Sequence, residues 1–216
     1  MLAYLRGNYC IDESLLFATG KSNGGGFIDL LACSPHQDAP FAAFAMASPA
    51  LYSDVAGSPC HPAHNTTPIL EFHGSDDMVI PYSGGTRHNS SLPNIPAWLG
   101  RWAVRDGCAA GTSPSVASEY GGLVNVSAYS CVGVEDVVIG YLDEGQGHWW
   151  PSNVSNADNK GDVAPFDGSV VMVEFFRNQT STSVRNSKSM QSLAMKTALT
   201  NLRTRLHYLL LLLLCI

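Results

Sequence analysis

Three residues far apart in the chain have the types and order needed for acyl transfer: Ser22, Asp77 and His148. Ser22 lies in Gly20-Lys21-Ser22-Asn23-Gly24, followed by Gly25 and Gly26. An apolar run, Leu15 to Thr19, precedes it, and a helix-like run from Phe27 to Cys33 follows. A serine between a strand and a helix, flanked by glycines, is lifted out of the sheet on a sharp turn, where a carbonyl carbon can reach its hydroxyl. The next backbone N–H, that of Asn23, is then the candidate oxyanion donor, helped by the positive end of the helix.

A serine hydroxyl needs a base, and the base needs a carboxylate to orient it. Ile69 to Phe72 read as a buried strand, ending in the loop His73-Gly74-Ser75-Asp76-Asp77. A carboxylate there stands at the rim where the active sites of such sheets form. Asp76 and Asp77 compete for the role. Asp77 is favoured because Met78-Val79-Ile80-Pro81 begins the next segment directly after it. For the base, His36, His61, His64 and His88 lie in polar or proline-rich stretches, and His73 closes a strand and reads as structural. His148 follows a strand at Val137 to Leu142 and precedes a helix candidate at 166–176. Its neighbours Trp149 and Trp150 are candidate walls of a substrate site. No metal or cofactor is implied: no C-x-x-C pair occurs, and the histidines lack the helical spacing of a metal site.

The elements that must position these residues are few. Strands are expected at 15–19, 41–47, 69–72 and 137–142, and helices near 26–33 and 94–106. The Ser- and Gly-rich stretch 109–130 reads as a loop or excursion. Alternating strands and helices, with the chemistry at strand ends, imply an α/β protein with a mainly parallel sheet and flanking helices. The order serine, acid, histidine is that of the α/β-hydrolase fold.

Three motifs carry a resemblance. They are Lys21-Ser22-Asn23-Gly24-Gly25-Gly26, then Phe72-His73-Gly74-x-x-Asp77-x-x-Ile80-Pro81-Tyr82, then Gly147-His148-x-Trp150-Pro151. Together they resemble fungal feruloyl esterases, in the esterase group that also holds acetyl xylan esterases and polyhydroxybutyrate-depolymerase-like proteins. The resemblance runs from about residue 1 to 176. It implies Ser22 as nucleophile, Asp77 as acid and His148 as base, with Trp150 at a matching position. It implies a secreted enzyme that cuts ferulate esters from plant cell-wall arabinoxylan. Acetyl xylan or polyester esterase is the alternative within the group, and an inactive fragment the alternative outside it.

In that group the elbow follows several strands and an oxyanion loop. Here it begins at residue 20, and residues 1–8 look like the end of the helix before the elbow strand. The expectation is therefore the C-terminal half of the fold, at 1–177, without its N-terminal strands and second oxyanion donor, and with an exposed parallel edge. Residues 178–216 are expected to be a Ser/Thr-rich extension.

Charge divides the chain the same way. Residues 1–174 hold six basic and all eighteen acidic residues, a net −12, while 175–216 hold six basic and no acidic ones, which returns the total to −6. An acidic body argues against a nucleic-acid partner. The last apolar run, from Tyr208, is too short to span a bilayer as a helix. Sequons at Asn65, Asn89, Asn125, Asn153 and Asn178 exceed the roughly two expected by chance. With six cysteines lacking metal spacing, they point to an oxidising compartment. Cys33–Cys60 and Cys108–Cys131 would each close a short local loop. Cys10 and Cys215 are then left over. No signal peptide is seen at residues 1–5.

Overall fold

The computed structural model describes residues 2–35, 41–54, 58–87, 89–131 and 133–179. The expectations for the tail and for Cys215 lie outside them.

A six-stranded mixed sheet organises these residues, with helices on both faces. Helix α1 (Leu2–Asn8) leads into β1 (Phe17–Lys21) and α2 (Asn23–Ala32). Then come β2 (Ala43–Ala47), β3 (Ile69–Gly74), a small hairpin of β4 (Gly85–Arg87) and β5 (Ser90–Leu92), and α3 (Ile95–Arg105). Strands β6 (Ser115–Glu119), β7 (Val124–Cys131) and β8 (Val134–Asp143) follow, and a helix, α4, covers 168–179. The sheet order is β1-β2-β3-β8-β7-β6. The first four are parallel, and β7 and β6 add on antiparallel to β8.

Both faces of the parallel strands are covered, so these strands read as unbroken apolar runs. Phe44, Met46 and Ile69 face the α2/α3 layer with Ile28, Trp98 and Trp102. Ala45, Leu70 and Phe72 face the other layer, with Phe166, Phe175 and Phe176. Helix α3 begins where its pattern and cap agree: the Asn94 side chain accepts from the Ala97 N–H, and Pro96 occupies the first turn, where no N–H is needed.

The loop expected at 109–130 is instead two strands, β6 and β7. Every residue of β6 is exposed, so no apolar alternation marks it; it is held by backbone pairing from Ser115↔Ala128 to Glu119↔Val124. The hairpin at 85–92 is mostly exposed and escapes a hydrophobicity reading for the same reason. Strand β1 begins at Phe17 rather than Leu15, because residues 13–15 form a 3₁₀ turn capped by Asp12. It forms one edge of the sheet among the described residues. Both expected disulfides, Cys33–Cys60 and Cys108–Cys131, are present, and Cys10 carries a free, exposed thiol.

Asp29 of α2 is 1% exposed, and its Oδ1 accepts from the indole N–H groups of both Trp98 (3.3 Å) and Trp102 (3.2 Å). Burial, then the charge of Asp54, pushes its carboxyl up to about 7. An acid raised in the folded state keeps its proton while the unfolded chain loses it. Stability from Asp29 is therefore complete below the ordinary carboxyl value and declines as pH rises from about 4 to about 7. Asn keeps the oxygen acceptor and carries no charge. Asp29→Asn is expected to leave urea unfolding unchanged at pH 4 and to stabilise the chain by roughly 2–4 kcal/mol at pH 8. An equal effect at both pH values would refute this account of Asp29.

Candidate active site

The four parallel strands end on one edge, and the loops that leave β1, β3 and β8 there carry Ser22, Asp77 and His148 respectively. Ser22 is the residue between β1 and α2, with φ 56° and ψ −122°. That conformation is strained for a residue with a side chain, and its surroundings enforce it. The Ser22 N–H donates to the Ala47 carbonyl (2.9 Å), and the Ser22 carbonyl accepts from the N–H groups of Gly26 and Ala50, both at 3.0 Å. A Cβ on Gly20 would lie 2.5 Å from the Gly24 carbonyl carbon, and one on Gly26 would lie 2.2 Å from the Ala50 oxygen. Strand, turn and helix thus approach too closely for any other residue at these two positions. Asn23 is the first residue of α2. Its N–H belongs to the first turn, whose donors have no partners within the helix.

Asp77 is 3% exposed, in the loop leaving β3. Its two oxygens are engaged differently. Oδ1 accepts from the backbone N–H groups of Val79 and Ile80, both at 2.8 Å. Oδ2 meets Nδ1 of His148 at 2.8 Å. Burial pushes the carboxyl up. Hydrogen bonds from His148 and Ile80, the nearby Ser48 hydroxyl and the charge on His148 outweigh it, so Asp77 stays below the ordinary carboxylate value. The Ser48 hydroxyl, fully buried at the end of β2, acts here by proximity, since it falls outside hydrogen-bond geometry. Asp76 is exposed and takes its side-chain contact from Ser75 (3.2 Å).

With Asp77 ionised, Nδ1 of His148 is the donor, and the lone pair of the imidazole is left on Nε2. The loop carrying His148 is tied to the one carrying Asp77 by Asp76 N–H to Gln146 O (3.0 Å), Ser75 N–H to Asp143 O (2.9 Å) and Gly145 N–H to Ser75 Oγ (2.8 Å). On the other side, Asp158 pairs with Lys21 Nζ at 2.5 Å and accepts from the Trp150 N–H at 2.9 Å. Lys21 adjoins Ser22 and Trp150 lies two residues beyond His148, so this carboxylate braces the two loops against each other. The roles of Asp158 and Ser48, and the brace that Lys21 makes, could not be read in sequence because they depend on contacts across the strand ends.

The two tryptophans beside His148 have different surroundings. Trp150 packs edge-on against Phe72 at 5.8 Å, in the core layer below the sheet, and its indole N–H donates to Ser169 Oγ (3.1 Å). Trp149 closes over Gly147, where a Cβ would lie 2.3 Å from its ring. It borders a cleft of about 280 Å³ together with Leu123, Gln146, Ala164 and Pro165. Trp150 is thus held by packing and Trp149 is the ring that faces open space.

Among the described residues one group has metal-ligand spacing, Asp29, Cys33 and Asp54. The Cys33 sulfur is committed to Cys60, and Asp54 is paired with both guanidinium nitrogens of Arg105. Also among the described residues, no helix is long and apolar enough to cross a membrane.

No protein-family model matches the chain. Among curated proteins, it is 34% identical over 99 residues to the probable feruloyl esterase C of Aspergillus flavus, covering 46% of this chain and 30% of that protein. It is 36% identical over 86 residues to feruloyl esterase C of Emericella nidulans (39% and 29%). It is 37% identical over 76 residues to feruloyl esterase B of Piromyces equi (35% and 14%). Among solved structures, Arabidopsis thaliana SOBER1 aligns with a TM-score of 0.40 at 13% identity, over 82% of this chain and 58% of that one. The chain spans about 30% of the length of the Aspergillus flavus protein it matches, and over that stretch it is similar to the fungal feruloyl esterases.

Proposed function

We propose that the chain is a serine carboxylesterase of the α/β-hydrolase fold, acting on feruloyl esters of plant cell-wall arabinoxylan. The observation that carries this reading is the His148–Asp77 hydrogen bond on the strand edge that also bears the strained Ser22. Ser22 Oγ attacks the ester carbonyl carbon while His148 Nε2 takes the hydroxyl proton. Negative charge gathers on the carbonyl oxygen, where the Asn23 N–H and the N-terminus of α2 oppose it. The tetrahedral intermediate collapses, His148 returns the proton to the leaving alcohol, and water repeats the sequence to free the acid. Asp77 holds the imidazole in the right tautomer throughout and stabilises its cation.

The acyl group is read from the similarity to feruloyl esterases. The cleft that Trp149 borders is lined by none of Ser22, Asp77 and His148, so Trp149 is offered as an aromatic contact for a hydroxycinnamoyl ring only by its place next to His148, while Trp150 holds that loop by packing on Phe72. The two disulfides agree with an oxidising, secretory setting.

The test compares methyl ferulate with acetylated xylan, alongside covalent labelling by a fluorophosphonate. Faster turnover of methyl ferulate and labelling that disappears in Ser22→Ala are expected. Faster release of acetate would move the substrate to acetyl xylan. No labelling and no turnover of either ester would remove the esterase reading.

A further inference from the structure

Behind the Asp77–His148 pair lies a second ionisable pair that the mechanism above does not use. Strand β3 is buried along its whole length, yet it carries Glu71 and His73, both 0% exposed. Charged side chains are almost never buried this deeply without a partner. His73 Nδ1 meets Glu71 Oε1 at 2.7 Å. His73 Nε2 meets the Ile80 carbonyl oxygen at 2.7 Å and lies 3.6 Å from Asp77 Oδ2. That oxygen is the one bonded to His148 Nδ1.

A carbonyl oxygen can only accept, so Nε2 of His73 carries a proton. The open question is the other nitrogen. Either Nδ1 is bare and accepts from a protonated Glu71, or Nδ1 is protonated and donates to a Glu71 carboxylate. Burial lifts the Glu71 carboxyl; burial lowers His73, but the Glu71 charge and the hydrogen bonds lift it past its ordinary value, so both groups claim one proton. Glu71 Oε2 has no hydrogen-bond partner, which favours the acid. Asp77 favours the other arrangement. Moving the proton from Glu71 Oε1 to His73 Nδ1 breaks one O–H bond and makes one N–H bond. It brings positive charge beside the Asp77 carboxylate and leaves the negative charge on the far side of the ring. The remaining neighbour, Tyr82, presents its ring edge-on at 5.5 Å and is neutral, pushed up to about 12 by burial.

We infer that the proton rests on His73, and that this buried imidazolium is a positioning residue, holding Asp77 ionised and fixed and acting through it on His148. It deepens the esterase reading and rests on it for its catalytic meaning. The geometry also gives His73 a mechanical part, because Ile80 is bonded to both residues: its carbonyl accepts from His73 and its N–H donates to Asp77.

The experiment is long-range proton–nitrogen NMR on the whole chain labelled with ¹⁵N-histidine, with His73→Gln and His148→Asn assigning the two sets of signals. Both nitrogens of His73 are expected to read as protonated at neutral pH. Glu71→Gln keeps the hydrogen-bond partner and removes the charge. His73 should then become a neutral ring with bare Nδ1, and the His148 titration should move up by about half to one pH unit as the nearby cation is lost. A neutral His73 in the unaltered chain overturns the inference, as does a Glu71→Gln chain with an unmoved His148. If Glu71→Gln gives no folded spectrum, the His148 titration in His73→Gln decides the coupling instead. These spectra need no turnover. Failure of the esterase reading, seen as Ser22→Ala hydrolysing as fast as the unaltered chain, is therefore distinguishable from failure of this one.

Discussion

Replacing Ser22 by Ala or Gly is expected to abolish ester hydrolysis, and only the Gly replacement is expected to stabilise the fold. Ser22→Ala removes the proposed nucleophile and should lower kcat on methyl ferulate at least a thousandfold, on the order seen when a nucleophilic serine is lost. Its stability should change little, because alanine is as strained as serine at φ 56°. Ser22→Gly should be equally inactive and more stable than Ser22→Ala by about 1–2 kcal/mol, since glycine occupies positive φ without a Cβ penalty. Activity by pH-stat or absorbance and stability by urea unfolding read the two effects independently. Retention of more than about a tenth of the activity in Ser22→Ala would place the nucleophile elsewhere. Equal stability of the Ala and Gly chains would mean that the turn stores no strain.

This coupling of strain to position explains why the site was more legible in sequence than the fold. A serine elbow must satisfy local sterics, so its glycines are written within a few residues of Ser22 and point to it directly. The buried strands β2 and β3 were equally plain, because burial on both faces demands continuous apolar residues. Strand β6 was not, because a fully exposed edge strand needs only backbone pairing and tolerates Ser and Glu, and β7, though partly buried, carries Asn and Ser among its apolar residues. The choice of Asp77 over Asp76 could be favoured from spacing, but the reason lies in three dimensions. Asp77 turns one oxygen to the loop backbone and the other to His148, while Asp76 remains in solvent. Glu71 and His73 carried a signal that was half read. The strand-end position of His73 reads as structural, and the residue is fully buried and bonded to Glu71 and to the Ile80 carbonyl; two ionisable residues inside an otherwise apolar strand are the mark of a buried charge pair.

The sharpest consequence of the site's geometry concerns Asp77→Asn. In the native site Oδ1 of Asp77 accepts two backbone N–H groups and cannot be exchanged for an amide nitrogen without setting donor against donor. The asparagine oxygen must therefore take that place, which turns its NH₂ toward His148 Nδ1. A donor facing Nδ1 selects the tautomer with bare Nδ1 and protonated Nε2. The nitrogen that should accept the Ser22 proton is then blocked, and the carboxylate that would stabilise the imidazolium is gone. Asp77→Asn is expected to lower kcat about ten-thousandfold at neutral pH, with KM changed little, as loss of an orienting acid does elsewhere. Asp76→Asn leaves every backbone bond of the loop intact and should stay within a few-fold of the unaltered chain. The measurement is a pair of kcat and KM determinations on methyl ferulate, with the His148 nitrogen shifts recorded on the same Asp77→Asn sample. Full loss of turnover with His148 still protonated on Nδ1 would sever the effect from the tautomer. A reversed pair, with Asp76→Asn inactive and Asp77→Asn active, would transfer the role to Asp76 despite the 2.8 Å contact that Asp77 makes.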